Sequence, residues 1–165
     1  MNKTAVKYGV FTGFAVIAYL FAFYFYDKTL MRSAAVLWST VVIYFIGMFM
    51  ATVSIHRNRG TEEELSFRKM IATPFIVFLI TNAYYIFFLF WIMNVYDLEF
   101  LELHQALSHQ EHLELYEGKE GIAEIRKMKP EDYTPTFGGS FKRYIFGILG
   151  GFPLAFIIGM VVRRT

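Results

Sequence analysis

Three histidines and two glutamates lie close together in the sequence and are the residues best suited to bind a metal ion: His104, His109, His112, Glu111 and Glu114. His109 and His112 are three residues apart, which places them on one face of a helix. The spacing matches neither the His-Glu-x-x-His motif of zinc proteases nor its inverse, because position 110 is glutamine and position 108 is serine. Exposed helix faces often carry histidine without ligating anything. We therefore expect no metal site, with His109 and His112 as the remaining candidates, and a pH-responsive histidine cluster stays open.

Other kinds of chemistry find little support in the sequence. The chain has no cysteine, which excludes disulfides, thiolate metal ligands and thiol catalysis. No nucleophile elbow or oxyanion loop of a hydrolase is visible. The long apolar segments contain no Asp, Glu, Lys, Arg or His, the groups that pumps and proton-coupled transporters place inside the membrane. We therefore predict a protein that is not an enzyme and binds no cofactor.

The composition is that of a membrane protein, with 56% hydrophobic, 19% aromatic and only 18% charged residues. Its net charge of +2 comes from scattered basic residues, so no nucleic-acid partner is expected. Four segments without charged residues or histidine are each at least 19 residues long, namely residues 8–26, 34–55, 71–96 and 144–162. About 20 apolar residues in a helix cross the hydrocarbon core of a bilayer. The sequence therefore predicts an all-α integral membrane bundle of four transmembrane helices, with residues 1–165 forming a single membrane domain in the lipid bilayer.

The first apolar segment also resembles the core of a secretory signal, since basic residues precede it. It is longer than a usual signal core, is rich in aromatic residues, and ends in Tyr26, Asp27 and Lys28 without a small-residue cleavage site. We therefore expect a transmembrane helix there.

The orientation prediction depends on basic residues near the helix ends, which favour the cytoplasmic side. One side would hold Lys3, Lys7, Arg57, Arg59, Arg68, Lys69, Arg163 and Arg164, and the other Lys28, Arg32, Lys129, Lys142 and Arg143. Aromatic residues at helix ends on the second side agree with a membrane interface there: Tyr24, Tyr26, Trp38, Trp91, Tyr96 and Tyr144. We therefore expect both termini in the cytoplasm of a bacterial cell, with the chain in the inner membrane.

The three connections differ in length. Residues 27–33 are too few for anything except an antiparallel hairpin of the first two helices. In the predicted inner connection, residues 56–70, Thr61 and Glu64 have the spacing of a capping box. This connection is expected to be a solvated joint, and a short surface helix with Phe67, Met70 and Ile71 on the lipid boundary is the alternative.

The long outer connection, residues 97–143, is expected to be mostly helical and extracytoplasmic. Leucines and aromatic residues alternate there with six carboxylates between Asp97 and Glu117, a pattern of amphipathic helix. Gly118 and Gly121 interrupt it, so we expect two helices or one kinked helix. No Gly or Pro separates Tyr96 from the acidic segment, which predicts that the third helix continues directly into it. Residues 133–140 are expected to be extended, with Ser140 capping the last helix.

A stripe of small residues runs along the last helix. Gly147, Gly151, Ala155 and Gly159 recur every four residues, and such stripes let helices approach closely. Gly9 and Gly13 of the first helix, and Gly47 with Ala51 of the second, are the expected receiving surfaces. Packing within the bundle is favoured over a homodimer contact. Asn82, near the middle of the third helix, should hydrogen-bond to a neighbouring helix, and a substrate contact is the alternative.

Several local features occur together in one known family. Two basic residues and a glycine open the first helix, Leu-Ser-Phe-Arg-Lys at 65–69 leads into the third, and an acidic helix follows. Thr-Pro-Thr-Phe at 134–137 precedes a glycine-rich last helix that ends in Arg163 and Arg164. In these features the chain resembles the bacterial membrane proteins known as domain of unknown function 4199. The resemblance implies four transmembrane helices and a largely helical loop before the last one. It implies no activity, cofactor or catalytic residue, and the three histidines match no motif of the family.

Two hypotheses for function follow. The first is a non-enzymatic membrane subunit or scaffold that engages another protein or a second copy through residues 97–128. The second is a small channel or carrier for an unidentified solute, formed by oligomerisation along the stripe of Gly147, Gly151, Ala155 and Gly159. The first is preferred because the polar residues are concentrated outside the apolar segments.

Overall fold

The structure, a computed structural model, describes residues 3–57 and 67–164. These residues form helices and turns, and no strand occurs among them. The α-helices within these residues are α1 (Lys3–Tyr26), α2 (Ala34–Arg57), α3 (Phe67–Trp91), α4 (Leu98–Leu115), α5 (Ile122–Ile125) and α6 (Phe137–Arg164). Short 3₁₀ helices cover Lys28–Arg32 and Pro130–Tyr133, and a π-helical turn covers Ile92–Tyr96. The predicted capping box of Thr61 and Glu64 lies outside the described residues.

Four of the helical segments are long and apolar enough to cross a membrane: Lys3–Tyr26, Ala34–Arg57, Phe67–Tyr96 and Phe137–Arg163. The prediction of an all-α protein with four such helices is confirmed. Each helical segment is longer than the charge-free stretch from which it was predicted, because charged residues beside such a stretch can belong to the same helix. Pro74 accordingly lies about two turns inside α3 and not in its first turn.

The chain divides into two compact units. The first, residues 1–86 with 142–165, is called the bundle unit here, and the second, residues 87–141, is called the acidic unit.

The four long helices of the bundle unit alternate in direction along the chain. Hydrogen bonding between Tyr19 and Ser39, and the approach of Gly47 to Thr12, pair α1 and α2 in antiparallel register. Gly9 lies against Ile80 and Gly13 against Tyr84, so α1 and α3 are parallel.

The last pairing in the bundle unit, between α3 and α6, is antiparallel. Gly147 meets Asn82, Gly151 meets Phe78 and Gly159 meets Met70, three pairs whose residue numbers rise on one helix as they fall on the other. The N-terminal end of α1 and the C-terminal end of α6 therefore lie at the same end of the unit.

The link between α1 and α2 is the predicted hairpin, and its turn is organised by Asp27. The Asp27 carboxylate accepts hydrogen bonds from the backbone N–H and the hydroxyl of Thr29, at 2.8 and 2.7 Å. These two donors favour the charged carboxylate and hold the pKa of Asp27 below its ordinary value. The Met31 side chain of the same turn is buried, which fixes the turn against the bundle unit.

The structure corrects two sequence predictions about the acidic unit. The third helix does not continue into the acidic helix, because Asp97 adopts an extended conformation and its side chain accepts a hydrogen bond from the Phe100 N–H (3.0 Å), which begins α4 as a new helix. Residues 133–140 are not an extended return capped by Ser140. Helix α6 already begins at Phe137, because the Thr136 hydroxyl accepts from the Gly139 N–H (3.0 Å).

Candidate functional site

The acidic unit has its own folded interior. The Phe100 side chain is completely buried, and Ile125 of α5 is also buried. Gly118 and Gly121 adopt positive φ angles of 72° and 95°, and they form the interruption between α4 and α5 that the sequence predicts. These two positions need glycine because other residues rarely adopt such backbone angles. The unit is therefore a packed structure and not a flexible connection.

Polar side chains tie distant parts of the acidic unit together. The amide of Asn94, which lies in the π-helical turn, donates to the backbone carbonyls of Phe90 (3.0 Å) and Pro135 (3.2 Å). The amide of Gln105 in α4 donates to the hydroxyl of Thr134 (2.8 Å). The segment around residues 134–135 is thereby fixed to the π-helical turn and to α4.

The candidate metal ligands His109 and His112 lie against one tyrosine ring. Their ring centroids are 5.6 and 5.0 Å from that of Tyr133. His112 Nδ1 lies 2.8 Å from the Ser108 carbonyl, which can only accept, so this nitrogen carries the proton. His109 Nδ1 is buried and has no hydrogen-bond partner in the part of the chain that the structure describes. Both histidines therefore act as aromatic packing partners.

No group of three or more His, Cys, Asp or Glu side chains is arranged to hold a metal ion within residues 3–57 and 67–164. His104 also lies on α4, and it makes interactions of its own.

The outward face of α4 carries the carboxylates. Glu99, Glu102 and Glu114 are exposed at helical spacing, and the Gln110 amide between them donates to Glu114 (2.9 Å). Residues 97–128 hold eight carboxylates and three basic side chains, a net charge of −5 with neutral histidines. Several large apolar side chains of the acidic unit are exposed as well, namely Val95, Leu98, Leu115, Tyr116 and Met128. This combination of charge and exposed apolar area can bind a protein surface of opposite charge.

The small-residue stripe of α6 lies against large residues of α3. A Cβ atom at Gly147 would lie 2.7 Å from Asn82 Nδ2, and one at Gly159 would lie 3.0 Å from the Met70 carbonyl oxygen. Ala155 is fully buried and Gly151 faces the Phe78 ring. A Cβ at Gly150, which is exposed, would meet nothing within 4 Å. The stripe therefore faces the inside of the bundle unit.

The glycines that were expected to pack against the stripe of α6 lie against other helices. Gly9 and Gly13 lie against Ile80 and Tyr84 of α3, and Gly47 lies against Thr12 of α1. Each glycine accommodates a larger side chain of the neighbouring helix, since a small residue leaves the space that a large one fills. The Thr81 hydroxyl adds a hydrogen bond to the Gly9 carbonyl (3.3 Å).

Asn82 bonds to α6. Its Nδ2 donates to the Tyr144 carbonyl (3.3 Å), and the side chain is buried. Met70 is buried as well and belongs to α3, so it is not part of a surface helix on the lipid boundary.

Sequence reasoning missed three tyrosines. Tyr44 and Tyr85 line a cavity in the bundle unit, and the Tyr133 ring packs against His109 and His112. Tyrosine is common in membrane proteins both at the interface and facing lipid, so residue type alone did not distinguish them. One signal could have identified Tyr44 as an inward-facing residue. It lies one helical turn from Thr40 and Gly47, and small and polar residues mark the inward face of α2.

The fold and the apolar helices define the class of this protein: it is a multi-pass α-helical membrane protein. Its family is the one described as "Protein of unknown function (DUF4199)", whose match covers residues 7–164, and the chain belongs to that family. The predicted resemblance is thereby confirmed. No curated protein and no solved structure matches the chain.

Proposed function

We propose that this protein is a non-enzymatic subunit or scaffold of a bacterial inner membrane, which engages a protein partner or a second copy through residues 97–128. The observation that carries the proposal is a folded helical unit whose residues 97–128 have a net charge of −5 and carboxylates on their outward face. Anionic headgroups repel such a surface, so a basic protein surface is its expected partner.

The proposed orientation places both termini in the cytoplasm and the acidic unit outside it. It is supported by the basic residues near Lys3 and Arg163, which lie at one end of the bundle unit, and by the alternating directions of the helices. Reporter fusions after Gly60 and after Gly121 test it. Only the second fusion should report an external location, and an external signal from the first would overturn the orientation.

Purification of the tagged full-length protein in a mild detergent tests the proposed partner. The mass of the complex and its companions should change when the α4 carboxylates are neutralised in the variant E99Q/E102Q/E114Q. E131Q is the control, because Glu131 is exposed in the same unit but lies outside residues 97–128. Loss of a companion or of a second copy from the triple variant alone is the expected result. Unchanged companions in both variants, or a lone monomer in the unmodified protein, would refute the proposal.

The alternative, an oligomeric channel or carrier, has weaker support. The glycines that it requires as an oligomer contact already lie against α3. Solute flux through liposomes that contain the purified protein is the measurement that tests it.

A further inference from the structure

The bundle unit contains a cavity between α2, α3 and α6, with a volume of about 240 Å³. Three aromatic rings form part of its wall: Tyr44, Phe78 and Tyr85. The Tyr44 and Phe78 rings contact each other, with centroids 5.4 Å apart. Aromatic walls favour a flat ligand, because ring faces and edges pack well against a planar group.

Polar atoms of the cavity wall lack partners. Tyr44 and Asn82 are 7% and 6% exposed, so both are more than nine-tenths buried. Within the described part of the chain, no hydrogen bond involves the hydroxyl of Tyr44 or of Tyr85. Asn82 donates to the Tyr144 carbonyl through Nδ2, and its Oδ1 atom makes no hydrogen bond there. A polar group without a partner is costly in a bilayer core, because no bulk water is there to satisfy it. A ligand that fills these positions would remove that cost.

The cavity lies at mid-depth of the helices that surround it. Tyr44 is ten residues from the start of α2, about 15 Å along the helix axis. Asn82 lies near the middle of the Phe67–Tyr96 segment. The hydrocarbon core is about 30 Å thick, so Tyr44 lies close to its centre, whereas Asn82, bonded to the Tyr144 carbonyl beside Arg143, lies nearer one interface. Phospholipid headgroups do not normally reach the centre, whereas neutral lipid-soluble molecules do.

The entrance of the cavity faces the acyl chains. Leu37 and Val41 of α2 line it, and they are 41% and 40% exposed on a helix that is apolar enough to span the membrane. No Asp, Glu, Lys, Arg or His lines the cavity, so an uncharged ligand fits it. Its volume is below the roughly 300–1,000 Å³ of sites that enclose a complete drug-sized ligand. A ring therefore fits inside while a long apolar tail stays in the lipid.

We propose that this cavity binds the ring of an isoprenoid quinone, which enters sideways from the bilayer between α2 and α6. The Tyr44 and Tyr85 hydroxyls donate to the ring carbonyls, and Asn82 Oδ1 accepts from a ring hydroxyl when the quinone is reduced. The proposal concerns binding, and no electron transfer by this chain is part of it. It is independent of the partner proposed for residues 97–128.

Photolabelling of the full-length protein in lipid nanodiscs tests the site. The probe is an azido-benzoquinone with a decyl tail, and unlabelled decyl-benzoquinone is the competitor. Saturable labelling of the α2 segment 37–44 or the α3 segment 78–85, removed by the competitor, is expected. Labelling that neither saturates nor responds to the competitor would overturn the proposal.

Two sets of variants make the result specific. Y44F and Y85F each remove one hydroxyl without changing the ring, and each should weaken binding roughly fivefold, the effect of one ordinary hydrogen bond. V41W fills the entrance and should abolish labelling, whereas V42W adds the same side chain at an exposed position that does not line the cavity. Equal labelling of V41W and V42W would refute the site even if the tyrosine variants fail to fold.

Native mass spectrometry separates the other occupants. A co-purified phospholipid whose retention depends on Tyr44 and Tyr85 would replace the quinone and overturn the proposal. A protein that retains no lipid and binds no quinone would leave water as the occupant, which equally overturns it. Quinone extracted from the purified protein, and lost in V41W but not in V42W, is the supporting outcome.

Discussion

Replacing Gly159 by alanine should weaken the contact between α3 and α6. Pro74 has no N–H and therefore cannot donate to the Met70 carbonyl one helical turn earlier. Gly159 lies against this carbonyl, and an alanine Cβ there would lie 3.0 Å from its oxygen and 3.2 Å from its carbon. These are backbone atoms, so a side-chain rotation cannot relieve the contact. The helices must move apart, or the carbonyl must shift.

The magnitude follows from a comparison with Gly150→Ala in the same helix. A Cβ at Gly150 would meet nothing within 4 Å. Alanine gains about 1 kcal/mol of helix propensity over glycine at either position, and this gain cancels between the two variants. Inserting a methyl group into a packed interior typically costs about 1–3 kcal/mol. Gly159→Ala should therefore be about 1–3 kcal/mol less stable than Gly150→Ala.

Unfolding in mixed micelles of dodecyl maltoside and SDS, followed by tryptophan fluorescence, measures this difference. The midpoint should fall to a lower SDS fraction for Gly159→Ala only, and the shift should not depend on protein concentration. A concentration-dependent shift would place the glycine stripe in a contact between two chains. Equal midpoints for the two variants would refute the assigned packing of α6 on α3.

Two further predictions concern the acidic unit and the hairpin turn. Phe100→Ala should destabilise the acidic unit by about 3–5 kcal/mol because this side chain is completely buried. Leu98→Ala is the control, since Leu98 is 62% exposed, and it should change the stability of the unit by less than about 0.5 kcal/mol. Amide hydrogen exchange in α4 measures both, and equal protection in the two variants would contradict the packing. Thr29→Val should raise the pKa of Asp27 toward its ordinary value because it removes the larger of the two causes of the lowered pKa, and Thr29→Ser should not. The stabilisation from this carboxylate is present above the ordinary pKa and is lost as the pH falls through the lowered value, so in Thr29→Val it should be smaller and its loss should be complete at a higher pH; carboxyl NMR of the labelled protein follows the titration.

The helical composition of the fold was predictable because it depends on local and additive properties. A stretch of about 20 apolar residues without charge has one low-energy arrangement in lipid, whatever its neighbours are. The interruption at Gly118 and Gly121 was predictable for a similar reason, since glycine favours the positive φ angles found there.

The boundaries of the acidic unit were harder to predict. Asp97 and Thr136 begin helices because their side chains accept a backbone N–H three residues later. The same residue types also occur inside helices and in turns, so composition did not distinguish these roles. The sequence favoured a continuous helix through Asp97, since neither glycine nor proline precedes it.

The sequence by itself determined that the chain has four apolar helices, that one helix carries a glycine stripe, and that its carboxylates are concentrated in residues 97–128. Only the tertiary structure decided that the stripe faces Asn82, Phe78 and Met70, and that Tyr44 and Tyr85 share a cavity. The physical reason is that in lipid the outside of a bundle is as apolar as its inside. Hydrophobicity therefore shows which segments cross the membrane, whereas the fit between large and small side chains decides which faces meet.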